Sequence, residues 1–314
     1  MMSAVASAPG KFVILGEHAV VYGKPAIALA IDRRFTVKVR KSDVFRINGN
    51  RADLKANPHM SHICGEYGTS SVSVSLNSDI PAGSGLGSSA ALSAAFATAM
   101  RGFLGLEHDH ESIAKDAFEA EFSAQGRGSP MDTSASVHGY GITLNTPDCG
   151  EKLWSMEKNG TSWDICDIDV PKMSFVIGNT GIKAATGPLV EKVRKYKDSN
   201  RFASDIVDEI GDITLEGVKA VTRNDLVGLG KLMTSDHKLL SILGVSCKEL
   251  NKLVDAALPY SYGAKLTGAG GGGCMVALTD RPREVAEAIT SRGGTPYIVS
   301  TREEGARIEN RQSR

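Results

Sequence analysis

The sequence carries no surplus of either charge, since 36 Lys and Arg are matched by 36 Asp and Glu across 314 residues. Without a basic excess there is no electrostatic footprint for a phosphate backbone, and no nucleic-acid partner is expected. Apolar runs approaching the ~18 residues of a spanning helix are also missing, and the residues after Met1 lack the basic and apolar regions of a signal peptide. No membrane association is expected, and the chain reads as cytoplasmic. Cysteine is sparse: Cys64, Cys149, Cys166, Cys247 and Cys274 are scattered and form no CxxC pair. That argues against a zinc site and a disulfide framework and for reduced thiols. A Walker A loop is absent too, because neither Gly23-Lys24 nor Gly230-Lys231 has a Gly at the required spacing and a following Ser or Thr.

What the chain does have is glycine, 34 residues of it, where a usual share of about 7% would give about 22. Much of the excess falls in two short loops, and the elements around them show where those loops lie. Short apolar or alternating stretches at 12–15, 35–40 and 71–76 predict strands, and the last of these feeds the first loop. From Ser88 a helical stripe of Ala90, Ala91, Leu92, Ala95, Phe96, Ala99 and Phe103 is small enough to pack closely on a sheet. A second helix over 111–124 places Glu121 on the stripe that otherwise points inward, so that carboxylate needs a partner. Asn159-Gly160 marks a hairpin within Lys152–Asp167, and Pro171 precedes a new apolar run. At ~150 residues per domain the length suits two domains. The boundary is set near 172, giving spans of 1–172 and 173–314. The second half alternates helices at 188–198, 202–222, 225–242 and 246–257 with strands at 264–267, 273–278 and 296–300. The fold class is mixed α/β, of the α+β kind.

The first loop runs Pro81, Ala82, Gly83, Ser84, Gly85, Leu86, Gly87, Ser88, Ser89, Ala90. Small residues let backbone N–H groups close on an anion, and a helix N-terminus adds partial positive charge, so the loop reads as a phosphate cradle. A plain glycine turn with a serine cap is the alternative. Gly85-x-Gly87-x-x-Ala90 also satisfies the dinucleotide fingerprint, which raises a nicotinamide-dependent oxidoreductase. Against it, Glu107 trails off a helix instead of ending a strand, and three predicted strands come before the loop. The second loop, Gly268-Ala269-Gly270-Gly271-Gly272-Gly273, packs so many costly glycines together that close approach to a ligand is the expected reason.

A third segment, Gly16-Glu17-His18-Ala-Val-Val-Tyr22-Gly23-Lys24-Pro25-Ala26, follows Lys11 at the head of an apolar strand. Together, and in this order, the three segments resemble the superfamily of galactokinases, homoserine kinases, mevalonate kinases and phosphomevalonate kinases. The Gly16–Ala26 stretch is most similar to the mevalonate kinases. Glu121 and Asp132, eleven apart, resemble the spacing of that family's metal-binding Glu and catalytic Asp, although Ser129-Pro130-Met131 stands here where many members carry Ser-Gly-x.

The resemblance implies a two-domain fold with an N-terminal ribosomal-S5-like domain and a C-terminal ferredoxin-like domain. It implies a kinase that uses ATP and Mg2+ and acts on mevalonate or on a related alcohol such as phosphomevalonate, homoserine or a sugar. Asp132 and Lys11 would be catalytic, and Pro81 through Ala90 would hold the nucleotide. Ser89 and Glu121 would bind the metal. Glu17, His18, Thr186, Gly268 and Ala269 would meet the alcohol substrate, and a homodimer is implied as well. A non-catalytic nucleotide-binding relative is disfavoured by the presence of Lys11, Glu121 and Asp132 together. His59 and His62, and likewise His108 and His110, lack a third metal-spaced ligand and read as surface histidines.

Overall fold

The computed structural model describes residues 3–81, 85–126, 128–147, 150–183 and 186–309, with the backbone alone of Thr186. The chain opens with strands β1 (Ser3–Leu15), β2 (Ala26–Lys41), β3 (Arg46–Ile47) and β4 (Asn50–Arg51), then helix α1 (Pro58–Glu66) and strand β5 (Val72–Ser78). Helices α2 (Ser88–Leu104), α3 (His110–Gln125) and α4 (Met131–His138) follow, and then strands β6 (Gly141–Leu144), β7 (Lys152–Lys158) and β8 (Thr161–Asp167). The second half contains β9 (Ser174–Asn179), α5 (Thr186–Ser199), α6 (Arg201–Thr222), α7 (Leu226–Ile242), α8 (Lys248–Ala257), β10 (Gly263–Thr267), β11 (Cys274–Leu278), α9 (Pro282–Ser291), β12 (Thr295–Ser300) and β13 (Arg307–Ile308).

Among the described residues two sheets form. The larger has nine strands, with β1 and β2 as a long antiparallel pair, β2 continuing onto β5 and β6, and β7–β8 closing one edge. The hairpin expected at Asn159-Gly160 is there, and both residues take the positive φ that a tight two-residue turn demands. The smaller sheet has the order β10-β11-β9-β12 with every pairing antiparallel. With helices between β9 and β10 and between β11 and β12, this is the split βαβ arrangement of a ferredoxin-like domain.

The two sheets divide between β8 and β9. One later strand departs from that division: β13 follows the smaller sheet in the chain yet pairs with β1 in the larger one. The domains share one apolar core, in which the rings of Phe12 on β1 and Phe175 on β9 meet edge to face at 4.9 Å between centroids. A satellite core lies between α5–α9 and the smaller sheet. Buried Ala90, Ala91, Ala94, Ala95, Ala97 and Ala99 let α2 lie close against β1 and β2. No helix of the described residues is long and apolar enough to cross a membrane. Cys64, Cys247 and Cys274 are free, but Cys166 is disulfide-bonded, which corrects the expectation of reduced thiols throughout.

Candidate active site

The site begins where the first glycine loop comes down on β1. Lys11 N–H donates to the carbonyl of Leu86 at 3.0 Å, so the loop's end is tied directly to the strand. Gly87 sits at φ 71°, and a Cβ there would come within 2.9 Å of Lys11 Cε. Glycine at 87 therefore supplies both the left-handed turn into α2 and the room for the lysine stem. Beneath that turn Lys11 Nζ reaches Asp132 Oδ1 at 2.7 Å. Asp132 lies in the first turn of α4, where the helix dipole favours a carboxylate. Its side chain is 46% exposed while that of Lys11 is 4% exposed. The pair is thus anchored from below and open above.

Glu121 on α3 approaches the same point. Its Oε1 lies 3.4 Å from Ser93 Oγ and 3.5 Å from His59 Nδ1, and its Oε2 accepts from Gln125 Nε2 at 2.5 Å. Burial pushes Glu121 above the ordinary carboxylate range and nearby Asp132 adds to this, while His59, Ser89 and Ser93 act in the opposite direction. A buried carboxyl that is costly to ionise, with a serine hydroxyl beside it, is a hard-oxygen donor set that a divalent cation would relieve. Mg2+ commonly takes only one or two protein ligands, so Ser89 and Glu121 fit it. Among the described residues there is no cluster of three or more His, Cys, Asp or Glu suited to a metal.

The Gly16–Ala26 segment follows directly on β1. His18 adopts φ 61° and ψ −41°, a strained conformation for a residue with a Cβ, and a 3-10 turn from Ala19 to Tyr22 follows. Its Nε2 donates to the carbonyl of Ala269, in the second glycine loop, at 2.9 Å. Burial lowers the pKa of His18, so the ring is neutral, and its Nδ1 is left as a buried acceptor without a partner. Glu17 is 4% exposed and ion-paired with Lys265 of β10, which also lies 3.1 Å from Asp236 Oδ2 on α7. Burial, offset by Lys265 and reinforced by Asp236, raises Glu17 to about 7. Next to Asp236, His237 accepts from Leu266 N–H at its Nδ1, and burial lowers its pKa to about 4.

The residues singled out in the sequence thus fall into two neighbouring groups. Lys11, Asp132, Ser89 and Glu121 cluster at the end of the first glycine loop, while His18 meets Ala269 and its neighbour Glu17 meets Lys265. Ala82, Gly83, Ser84 and the side chain of Thr186 lie outside the described residues. In the second loop a Cβ would lie 2.0 Å from the Val245 carbonyl oxygen at Gly270 and 2.7 Å from that of Ile182 at Gly272, so backbone crowding accounts for these two glycines, whereas at Gly268 and Gly273 a Cβ would meet nothing within 4 Å. Sequence reasoning missed Lys265, Asp236 and His59. A lysine inside the apolar strand Gly263–Thr267 was the available signal for the first, and Asp236 is likewise set within an apolar helix. Nothing in the spacing ties His59 to Glu121.

The GHMP kinases N terminal domain family matches residues 55–140, and the GHMP kinases C terminal family matches residues 218–295. A mevalonate kinase of Thermococcus onnurineus is 37% identical, with 98% of this chain and 99% of that protein covered. One of Pyrococcus abyssi is 36% identical, with 97% of each covered. Among solved structures, L. major mevalonate kinase in complex with R-mevalonate has the same fold, with a TM-score of 0.83 at 24% identity over 95% of this chain and 96% of that one. Both domains are matched in order, and full-length identity is above a third, so the chain belongs to the GHMP kinases, on their mevalonate kinase branch.

Proposed function

We propose that the protein transfers the γ-phosphoryl group of ATP to the 5-hydroxyl of (R)-mevalonate, giving ADP and 5-phosphomevalonate, a step of isoprenoid synthesis. The observation that carries this reading is the Lys11–Asp132 pair, a carboxylate open to a substrate and held at 2.7 Å by a buried lysine, directly under the first glycine loop. Phosphoryl transfer asks little covalent work of a protein beyond orienting the nucleophile and balancing charge. Asp132 accepts the proton of the attacking hydroxyl, and Lys11 holds that carboxylate in place and offsets the charge that develops on the transferred group. Gly85 to Ser88 and the N-terminus of α2 cradle the phosphates. Ser89 and Glu121 would hold Mg2+, which would supply neutralisation of phosphate charge when bound.

The alcohol extends from Asp132, which meets its reacting hydroxyl, toward the Glu17–His18 turn. Glu17 Oε2 and His18 Nδ1 are both buried acceptors with no hydrogen-bond partner among the described residues, and both suit a substrate hydroxyl. Ala269 and the neighbouring Gly268 belong to that wall, and family resemblance alone adds Thr186. A cytoplasmic homodimer belongs to the same reading and is supported by family resemblance alone.

The test is ADP release from purified protein with Mg-ATP, offered mevalonate, phosphomevalonate, homoserine and galactose separately, with EDTA as a control. Formation of ADP with mevalonate alone, abolished by EDTA, is the expected result. Turnover of a different alcohol would overturn the substrate while leaving the kinase chemistry in place.

A further inference from the structure

The Lys11–Asp132 pair explains the transfer step but leaves the most deeply buried ions of the molecule unused. Lys265 and Asp236 are each 0% exposed and Glu17 is 4% exposed. They come from three separate elements: β10, α7 and the loop after β1. Lys265 pairs with both carboxylates, and Glu17 Oε2 and Asp236 Oδ1 have no hydrogen-bond partner among the described residues. One cation facing two acids in a sealed site leaves an excess negative charge, which is costly unless a proton is shared. Such a cluster is a poor way to gain stability, so its reason should be sought in what it holds in place.

What it holds is the Glu17–His18 turn. His18 has a strained backbone, and strain of this kind persists only where the surroundings over-determine it. Two attachments to the C-terminal half do so: Lys265 on Glu17, and Ala269 on the His18 ring. A third contact lies nearby, where Thr267 Oγ1 donates to the Val13 carbonyl at 2.9 Å and ties the end of β10 to β1. We infer that Lys265 and Asp236 are positioning residues for the alcohol substrate, fixing Glu17 and through it the strained His18, and that this buried cluster couples the C-terminal domain to alcohol binding and not to nucleotide binding. This rests on the assignment of the Glu17–His18 wall to the alcohol.

The inference carries a pH signature. The titratable and charged groups facing Glu17 are Lys265 and Asp236, with His18 on its own loop and His237 beside Asp236. Both histidines are held neutral by burial, which leaves the two acids to take up the proton. As pH falls from about 8 to about 6, Glu17, at about 7, gains a proton and its bond to Lys265 loses charge assistance. The turn loosens and the KM for the alcohol rises. In Asp236→Asn the neighbouring charge that raises Glu17 is gone, so the rise begins at lower pH.

The experiment measures KM for the alcohol, KM for ATP and kcat in wild type, Lys265→Met and Asp236→Asn across that pH range, with thermal unfolding alongside. In Lys265→Met the alcohol KM should rise about tenfold or more, the loss expected for a charged hydrogen bond, while the ATP KM stays within about twofold. In Asp236→Asn the pH onset of the KM rise should move down while the protein remains folded. Unchanged alcohol KM in Lys265→Met, or equal rises for both substrates, overturns the inference. So does a wild-type pH profile in Asp236→Asn, which decides alone if Lys265→Met does not fold. A wild type that phosphorylates none of the alcohols overturns the functional reading itself and takes this inference with it, whereas an active wild type confines any failure to the cluster.

Discussion

Two lysines, Lys11 and Lys265, are buried to almost the same degree, at 3% and 0% exposure, and both bind carboxylates. Their surroundings differ in two ways. Lys11 faces Asp132, which is half open to solvent, and both belong to the N-terminal domain. Lys265 is sealed in and faces two acids, Glu17 and Asp236, one from each side of the domain interface. A balanced pair with one open face can pass a proton to or from a bound molecule, because only the carboxylate has to move its charge toward solvent. An unbalanced buried cluster presents no open carboxylate of this kind and acts through geometry. Burial alone therefore does not identify a reacting group; access and charge balance separate a carboxylate that reacts from one that positions.

The largest effect should come from the open pair. Asp132→Asn keeps the shape and removes the base, and general-base catalysis contributes roughly 10²–10⁴-fold. A fall in kcat of about 10³-fold is expected, with ATP affinity by titration little changed. Near-normal turnover would collapse the comparison by making both clusters structural.

The sealed cluster should dominate stability instead. Lys265→Ala strands two acids in the interior, and breaking a buried pair in this way costs about 3–5 kcal/mol, read by denaturant unfolding. The sign of its pH dependence follows from Glu17, whose folded pKa of about 7 lies above the ordinary 4.5. The folded state therefore binds the extra proton between those values. The stabilisation is complete below the unfolded pKa and is lost as pH rises through about 7. Wild-type unfolding should accordingly need less denaturant at about pH 8 than at about pH 6, and Asp236→Asn should narrow that gap. An unchanged gap would mean that Asp236 does not raise Glu17 at all.

How much of this could be read from the sequence differs between the same two clusters. The loop at Gly85–Ser88, the small-residue stripe of α2 and the inward Glu121 are local patterns, and the structure places Lys11, Asp132, Ser89 and Glu121 together at one loop end. The antiparallel order of the smaller sheet, by contrast, came from family resemblance, since strand periodicity says nothing of which strands are neighbours. Helices α1, α4 and α9 escaped pattern reading. The first two are short, of nine and eight residues, and α9 is set off only by Pro282. The Lys265–Glu17–Asp236 cluster spans 248 residues of chain between its ion-paired ends, and no local rule could join them. Likewise β13 returns to β1 across the whole length of the protein. What was legible was local in the chain, and what was not is made by tertiary contact.

Between the extremes lies the support beneath the open pair. At Gly87 the φ of 71° would cost a residue with a Cβ about 1–2 kcal/mol, and the added atom would press on the Lys11 stem at 2.9 Å. Gly85 has a similar φ of 72° but nothing within 4 Å of its Cβ position. Gly87→Ala should therefore lose more stability than Gly85→Ala, and should lower kcat by displacing Lys11 from Asp132. Equal losses of stability would show that the lysine yields freely and is not the fixed anchor described for the pair.

The smallest effect provides the control for distance. Lys115 Nζ lies 2.7 Å from Glu111 Oε1, the same separation as Lys11 from Asp132, but here both side chains are about half exposed, at 53% and 46%. Water screens such a pair and side-chain entropy opposes it, so an i,i+4 pair of this kind contributes only about 0.2–0.5 kcal/mol. Lys115→Ala should shift the unfolding midpoint barely beyond error and leave kcat and both KM values unchanged. If it costs as much as Gly87→Ala, separation alone would set the value of an ion pair in this fold, and the distinction between open and sealed lysines would lose its physical basis.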